Sequence, residues 1–124
     1  MSGNSLTGFI RTFLPGQFRD YFLGAIGPFQ VTATIASTAA GANGSAQASA
    51  AAGAGNAQAL ANCQQATDFI LEVIPTVAQT AGVAFTGTIT ANGVVWITAS
   101  NGTGGAYNPG ALTFTVFALR LKTG

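Results

Sequence analysis

Apolar and polar residues along this chain follow two different periods. Near the start, Leu6, Phe9, Ile10 and Phe13 recur at i, i+3, i+4 and i+7. After Pro15-Gly16 the pattern returns with Phe18, Tyr21, Phe22, Ala25 and Ile26. Each set marks one apolar face of a helix. Ser5 suits an N-cap, Pro15-Gly16 should break or kink the element, and Gly27-Pro28 ends it. From Phe29 the period becomes two: Phe29, Val31, Ala33 and Ile35 alternate with Gln30, Thr32, Thr34 and Ala36, as in a half-buried strand.

Alternation continues to the other end. "AGANGS" reads as a turn, and "SAQASAA" as a strand with alanine facing inward. "GAGNAQALANCQQATD" fits a short helix or a long loop, and "DFILEVIP" is a core strand closed by Pro75. "VAFTGTIT" and "VVWITAS" flank Ala91-Asn92-Gly93, whose Asn-Gly pair is the strongest short hairpin signal. The loop "NGTGGAYNPG" then leads into a last strand, "ALTFTVFALRL". The reading is mainly β: an antiparallel β-sandwich of about six to eight short strands, residues 29–124, behind an aromatic, partly helical arm, residues 1–28.

Charge changes this picture most. Charged residues make up only 6% of the chain against 48% apolar, and the net charge is +1. So small a charge steers neither nucleic acid nor an anionic membrane, and the composition is opposite to that of a disordered chain. It also leaves little repulsion between copies, which favours a part working inside an assembly. The arm has Arg11, Arg19 and Asp20 off its apolar face, a poor cationic face that makes an interfacial membrane helix only a weaker third reading. Its residues Leu6, Phe9, Ile10, Phe13, Phe18, Tyr21 and Phe22 are therefore read as anchors, on the chain's own β domain or on a partner. The first residues do not have the form of a secretory signal, and Thr, Ser, Asn, Gln and Gly break the charge-free run from Tyr21 to Thr67, so no membrane span is expected.

Candidate chemistry is sparse. The chain has no histidine, which excludes histidine acid–base chemistry and histidine metal ligands. Its single cysteine, Cys63, excludes an internal disulfide and reads as a small buried or incidental residue rather than a reactive thiol. Asp68 and Glu72 would share a strand face, but they flank "FIL" in a core strand, a poor setting for paired-carboxylate hydrolysis or a calcium site. "NGTGGAYNPG" has neither GxGxxG nor GxxxxGK[ST] and precedes no helix, so its glycines serve loop geometry rather than phosphate. Asn43-Gly44-Ser45 and Asn101-Gly102-Thr103 match the glycosylation sequon and read as turns. Thr32/Thr34, Thr86/Thr88/Thr90 and Thr113/Thr115 could template ice, but their irregular spacing suits ordinary solvent faces of strands. No catalytic residue, cofactor or metal is expected. Trp96 reads as core or interface filling, with a smaller claim, shared with Tyr107, on stacking against a ligand.

The stretches "VTATIASTAAGANGSAQASAA", "TAGVAF" and "ITANGVVWITASNGTGGAYNPGALTFTVFAL" carry a resemblance. A V-x-I strand, an N-x-T-G-x-x-x-N-P loop and a final T-F-x-V strand in that order are similar to small β-sandwich structural proteins of tailed bacteriophages. The arm and the Gly53–Thr67 segment lie outside the resemblance. It implies a non-enzymatic virion component: a capsid decoration (cement) protein on the capsid surface, or a head-fibre part. The expected partners are the chain itself, as a homo-oligomer with a trimer favoured, and the major capsid protein or another virion protein. The alternative is a receptor- or glycan-binding fibre module using Trp96, Tyr107 and the "NGTGG" loop.

Overall fold

The computed structural model describes residues 22–25 and 28–121. Its strands are β1 (Phe22–Ala25), β2 (Phe29–Ile35), β3 (Asn43–Gln47), β4 (Ser49–Ala50), β5 (Asp68–Pro75), β6 (Val83–Ala91), β7 (Val94–Asn101) and β8 (Gly110–Leu121). One short helix, α1 (Asn56–Ala61), lies between β4 and β5. The strands form two antiparallel sheets, so the mainly-β sandwich architecture holds. In the larger sheet β8 is central, with β2 on one side and β5 on the other; the smaller sheet has the order β3-β7-β6.

Alternation places the core between the sheets. Phe29, Val31, Ala33 and Ile35 of β2 are buried, as their period of two predicts, and they meet Val95, Ile97 and Ala99 of β7 and Phe114 and Val116 of β8 in one cluster. Phe85 stacks at a tilt on Phe114, 5.1 Å between ring centres. Ala33, Ala48, Ala99 and Ala118 are buried, which lets the sheets approach closely and fits the inward alanines of the sequence.

Four local readings are corrected. Residues 22–25 fit the helical period but form β1, because β2 pairs with β8 only as far as Val116 and leaves the backbone of Leu119–Leu121 open to another strand. The remaining arm residues, Leu6, Phe9, Ile10, Phe13, Phe18 and Tyr21, lie outside the described residues. "SAQASAA" is not one strand: β3 pairs with β7 in the small sheet and β4 with β2 in the large one, so the chain changes sheets at buried Ala48. The Asn43-Gly44-Ser45 sequon therefore sits in β3, not in a turn. Finally, β5 is not a core strand. It lies at the edge of its sheet with Phe69, Leu71 and Ile74 exposed.

The β6–β7 hairpin forms where Asn92-Gly93 predicts it. Gly93 has φ +74° and, among the described residues, no non-glycine residue has positive φ, so the tip is not the I′ turn that Asn-Gly often makes. A register shift between Ile89 and Ala91 accommodates it. The tip is also anchored: the Gly93 N–H donates to the Cys63 carbonyl (2.8 Å), and the Gln65 N–H donates to Asn92 Oδ1 (3.1 Å). The turn thereby holds the end of the α1 segment against the sandwich. Helix α1 has no side-chain cap and no fully buried residue. Asn56 secures its start by accepting from the Gln30 N–H (2.9 Å) and donating to the Ala51 and Ala52 carbonyls.

Candidate functional site: two outer sheet faces and a pinned loop

The acidic residues are separated by one irregularity. A register shift between Ile70 and Glu72 makes Leu71 an extra residue, and it reverses the inside–outside parity of β5. Asp68 faces in and Glu72 faces out, so the shared face that the sequence suggests does not exist. The Asp68 side chain has no exposed surface and accepts four hydrogen bonds: Arg120 Nε to Oδ1 (2.8 Å), Arg120 Nη2 to Oδ2 (2.9 Å), the Gln64 N–H (2.7 Å) and the Thr67 hydroxyl (2.9 Å). Burial pushes its pKa up. The hydrogen bonds from Arg120, Gln64 and Thr67, with the Arg120 charge, outweigh burial and hold it below the ordinary carboxylate value. Arg120 also donates to the Asn62 carbonyl (2.9 Å). A carboxylate so engaged fixes the α1–β5 connection to β8.

Cys63 is buried beside this pair, and its thiol contacts the Ala59 carbonyl at 3.5 Å. Burial, followed by the Asp68 charge, pushes its pKa up, which suppresses the thiolate. Among the described residues, no group of three or more His, Cys, Asp or Glu is placed to hold a metal ion. No described helix is long and apolar enough to cross a membrane.

The glycine-rich loop is organised by Asn101, which the sequence marks only as the start of a sequon read as a turn. Asn101 is buried, and its Nδ2 donates to the carbonyls of Thr38 (3.0 Å), Ala39 (3.2 Å) and Gly105 (2.8 Å). Its Oδ1 accepts from the Thr103 N–H (3.0 Å) and hydroxyl (2.6 Å). This amide holds two loops together, and it is consumed by the fold, so in the native state the Asn101 sequon has no free acceptor. The signal available in the sequence was an Asx-type turn, Asn101-Gly102-Thr103, at the end of a strand.

Trp96 and Tyr107 are not brought together. Tyr107 is buried, its ring is edge-on to Phe85 (6.3 Å), and its hydroxyl donates to Gln79 Oε1 (2.6 Å). It pairs backbone to backbone with Thr38 (2.8 Å each way), which makes it a structural staple. Trp96 lies instead on the outer face of the small sheet, 37% exposed, and is not core filling. The parity of β7 sets this, because Val95, Ile97 and Ala99 take the inward positions. Register places Gln47 of β3 and Thr88 of β6 on either side of Trp96, and Ser45 and Thr86 on either side of Thr98. The Ser45 and Thr98 hydroxyls are 2.7 Å apart. The threonines of β6 are exposed here, as solvent faces of ordinary strands. This face has an aromatic ring among amides and hydroxyls and no charged residue.

The outer side of the large sheet differs. Phe69, Leu71 and Ile74 of β5, Leu121 of β8 and Val77 just beyond β5 are exposed apolar residues, and Val77 is 66% exposed. Phe69 and Ile74 lie opposite Leu119 and Thr115 of β8, and β1 pairs with the same end of β8. Phe22 of β1 lies opposite Leu121, with β8 between β1 and β5.

Compared with known proteins, the chain matches no family model, and no curated protein or solved structure matches it.

Proposed function

We propose that this chain is a non-enzymatic structural module that attaches to the surface of a larger assembly, in the capsid-decoration role its resemblance implies. The observation carrying this reading is the apolar strip of Leu71, Ile74, Val77 and Leu121, exposed on a chain with almost no charge. Contiguous apolar surface marks a docking site, and its burial contributes about 25 cal/mol per Å². The arm's Leu6, Phe9, Ile10, Phe13, Phe18, Tyr21 and Phe22 are the proposed additional anchors. Of the two carboxylates weighed for catalysis, Asp68 is held in an interior ion pair and Glu72 faces outward.

The test is electron microscopy of virus particles assembled with the chain, with Leu71→Asp/Val77→Asp, and with residues 1–21 deleted. Density on the outer shell that disappears in a folded variant is the expected result. Shell density unaffected by both changes, or none with the unaltered chain, would overturn the reading.

A second reading draws on the exposed ring of Trp96 between Gln47 and Thr88, which suits stacking against a sugar. Without Tyr107, the recognition surface shifts from the "NGTGG" loop to the flat face of the small sheet. Glycan-array binding lost in Trp96→Ala would favour this reading over the first; an array with no Trp96-dependent signal would remove it.

A further inference from the structure

A sheet edge presents unpaired backbone groups to any extended chain, and most edges of this fold are obstructed. The large sheet ends in β4, two residues long, in β1, four residues long with a register shift between Phe22 and Gly24, and in β5, which contains Asp68, Glu72 and Pro75 and bulges at Leu71. Charge, proline and a bulge are the usual devices against edge pairing. The small sheet ends on one side in β3, five residues that run directly into the crossing at Ala48.

Its other edge, β6, carries neither charge nor proline, and its one irregularity, between Ile89 and Ala91, is confined to the hairpin end. β6 is nine residues long and keeps one unbroken register with β7 from Val83 to Ile89. Among the described residues β7 is its sole ladder partner. Its inward residues Val83, Phe85 and Gly87 are only half-buried, as expected where no further strand closes the layer.

We infer that β6 is the surface through which two copies of this chain join, edge to edge and antiparallel, so that their small sheets become one continuous sheet. A second copy fits this edge for two reasons. A two-fold axis sets a strand against itself, so any charge on it would meet its like; here no Asp, Glu, Lys or Arg occurs from Val73 to Leu119. The outward residues Thr86 and Thr88 would also meet threonines, and cross-strand hydroxyl pairs of this kind already occur at Ser45–Thr98 and Thr32–Thr113. Such an interface is isologous and closes as a dimer, in place of the trimer that the sequence reading favoured. The inference deepens the homo-oligomer part of the proposed function but not its attachment surface, which lies on the other sheet.

The full chain at micromolar concentration should sediment as a dimer in analytical ultracentrifugation. Thr86→Lys/Thr88→Lys opposes lysines across the axis. It should halve the sedimenting mass at low salt while circular dichroism still reports the native β spectrum, whereas Ser45→Lys/Gln47→Lys on β3 should leave the dimer intact. Should the lysine variant not fold, Thr86→Cys and Thr88→Cys, cross-linked one at a time by a short bis-maleimide, give the same answer: linked dimers from β6 cysteines and none from Ser45→Cys. A monomer, a trimer, a dimer that survives folded Thr86→Lys/Thr88→Lys, or equal cross-linking from β3 would overturn the inference. A β6 dimer that fails to decorate particles would sink the proposed function and leave this interface standing.

Discussion

Replacing Asp68 with asparagine keeps the shape of a side chain that has no exposed surface and removes its charge. The acceptor for two Arg120 nitrogens, the Gln64 N–H and the Thr67 hydroxyl becomes an amide, and one of its atoms then faces donors with a donor. Breaking a buried ion pair from one side costs about 3–5 kcal/mol. The Arg120 side chain is 29% exposed and water relieves part of its charge, which places the expected loss at about 3 kcal/mol, the low end of that range. A domain of this kind has a total stability of about 5–15 kcal/mol. With a urea slope of about 1–3 kcal/mol/M, the midpoint should fall by about 1–3 M, read by circular dichroism.

The pH dependence gives a second readout. The folded Asp68 carboxyl is more acidic than the unfolded value of about 3.9. Its stabilisation is therefore complete above that unfolded value and is lost as pH falls through the lower, folded one. The asparagine variant has no such slope, so the gap between the two proteins should be wide at pH 7 and narrow towards pH 2. A loss below about 1 kcal/mol at pH 7, or a gap that stays constant down to pH 2, would refute the claim that this pair is a buried anchor.

Asn101→Ala should cost about 2–4 kcal/mol, since several buried hydrogen bonds worth about 1 kcal/mol each disappear. Asn101→Asp should cost more at pH 7, because it turns a carboxylate towards three carbonyl oxygens; thermal melts of both variants check the order. Gly87→Ala places a Cβ 2.8 Å from Val73 Cγ2 and 3.0 Å from Ile70 Cγ2, so β5 must shift away from β6, with an expected cost of about 1–3 kcal/mol in urea titrations. The Cys63 thiol should react with a maleimide only at the rate of global opening, measurable by mass spectrometry; fast labelling of the native protein would contradict its burial.

Much of the fold was legible where both strand faces were distinct in composition. Phe29, Val31, Ala33 and Ile35 declared an inward face, and Asn92-Gly93 declared a hairpin, because these signals depend only on near neighbours in the chain. Features set by distant neighbours were not legible. Residues 22–25 form a strand because β8 has open backbone groups beyond Val116, and nothing in "FLGA" reports that. The bulge at Leu71 is defined by the register of β5 against β8, so the parity of Asp68 and Glu72 could not be read from spacing. Trp96 is instructive, since the alternation of Val95, Ile97 and Ala99 already assigned it to the outer face. The expectation that a large ring fills a core overrode a pattern that was present. Asn101 was legible as a turn residue, but its wider role was not, because that depends on Thr38 and Ala39, far away in sequence.

The position of β8 governs when this protein can exist as a folded object. β8 is the central strand of the large sheet, the partner of β1, β2 and β5, yet it is made after every other described strand. During synthesis the small sheet can assemble while β2 and β5 wait without a partner, their apolar faces uncovered. Contacts between the beginning and end of a chain form slowly, so completion of the sandwich should follow emergence of β8 from the ribosome rather than accompany translation. For that interval, the scarcity of charge that suits the finished module leaves the nascent chain little protection against its neighbours on the same message.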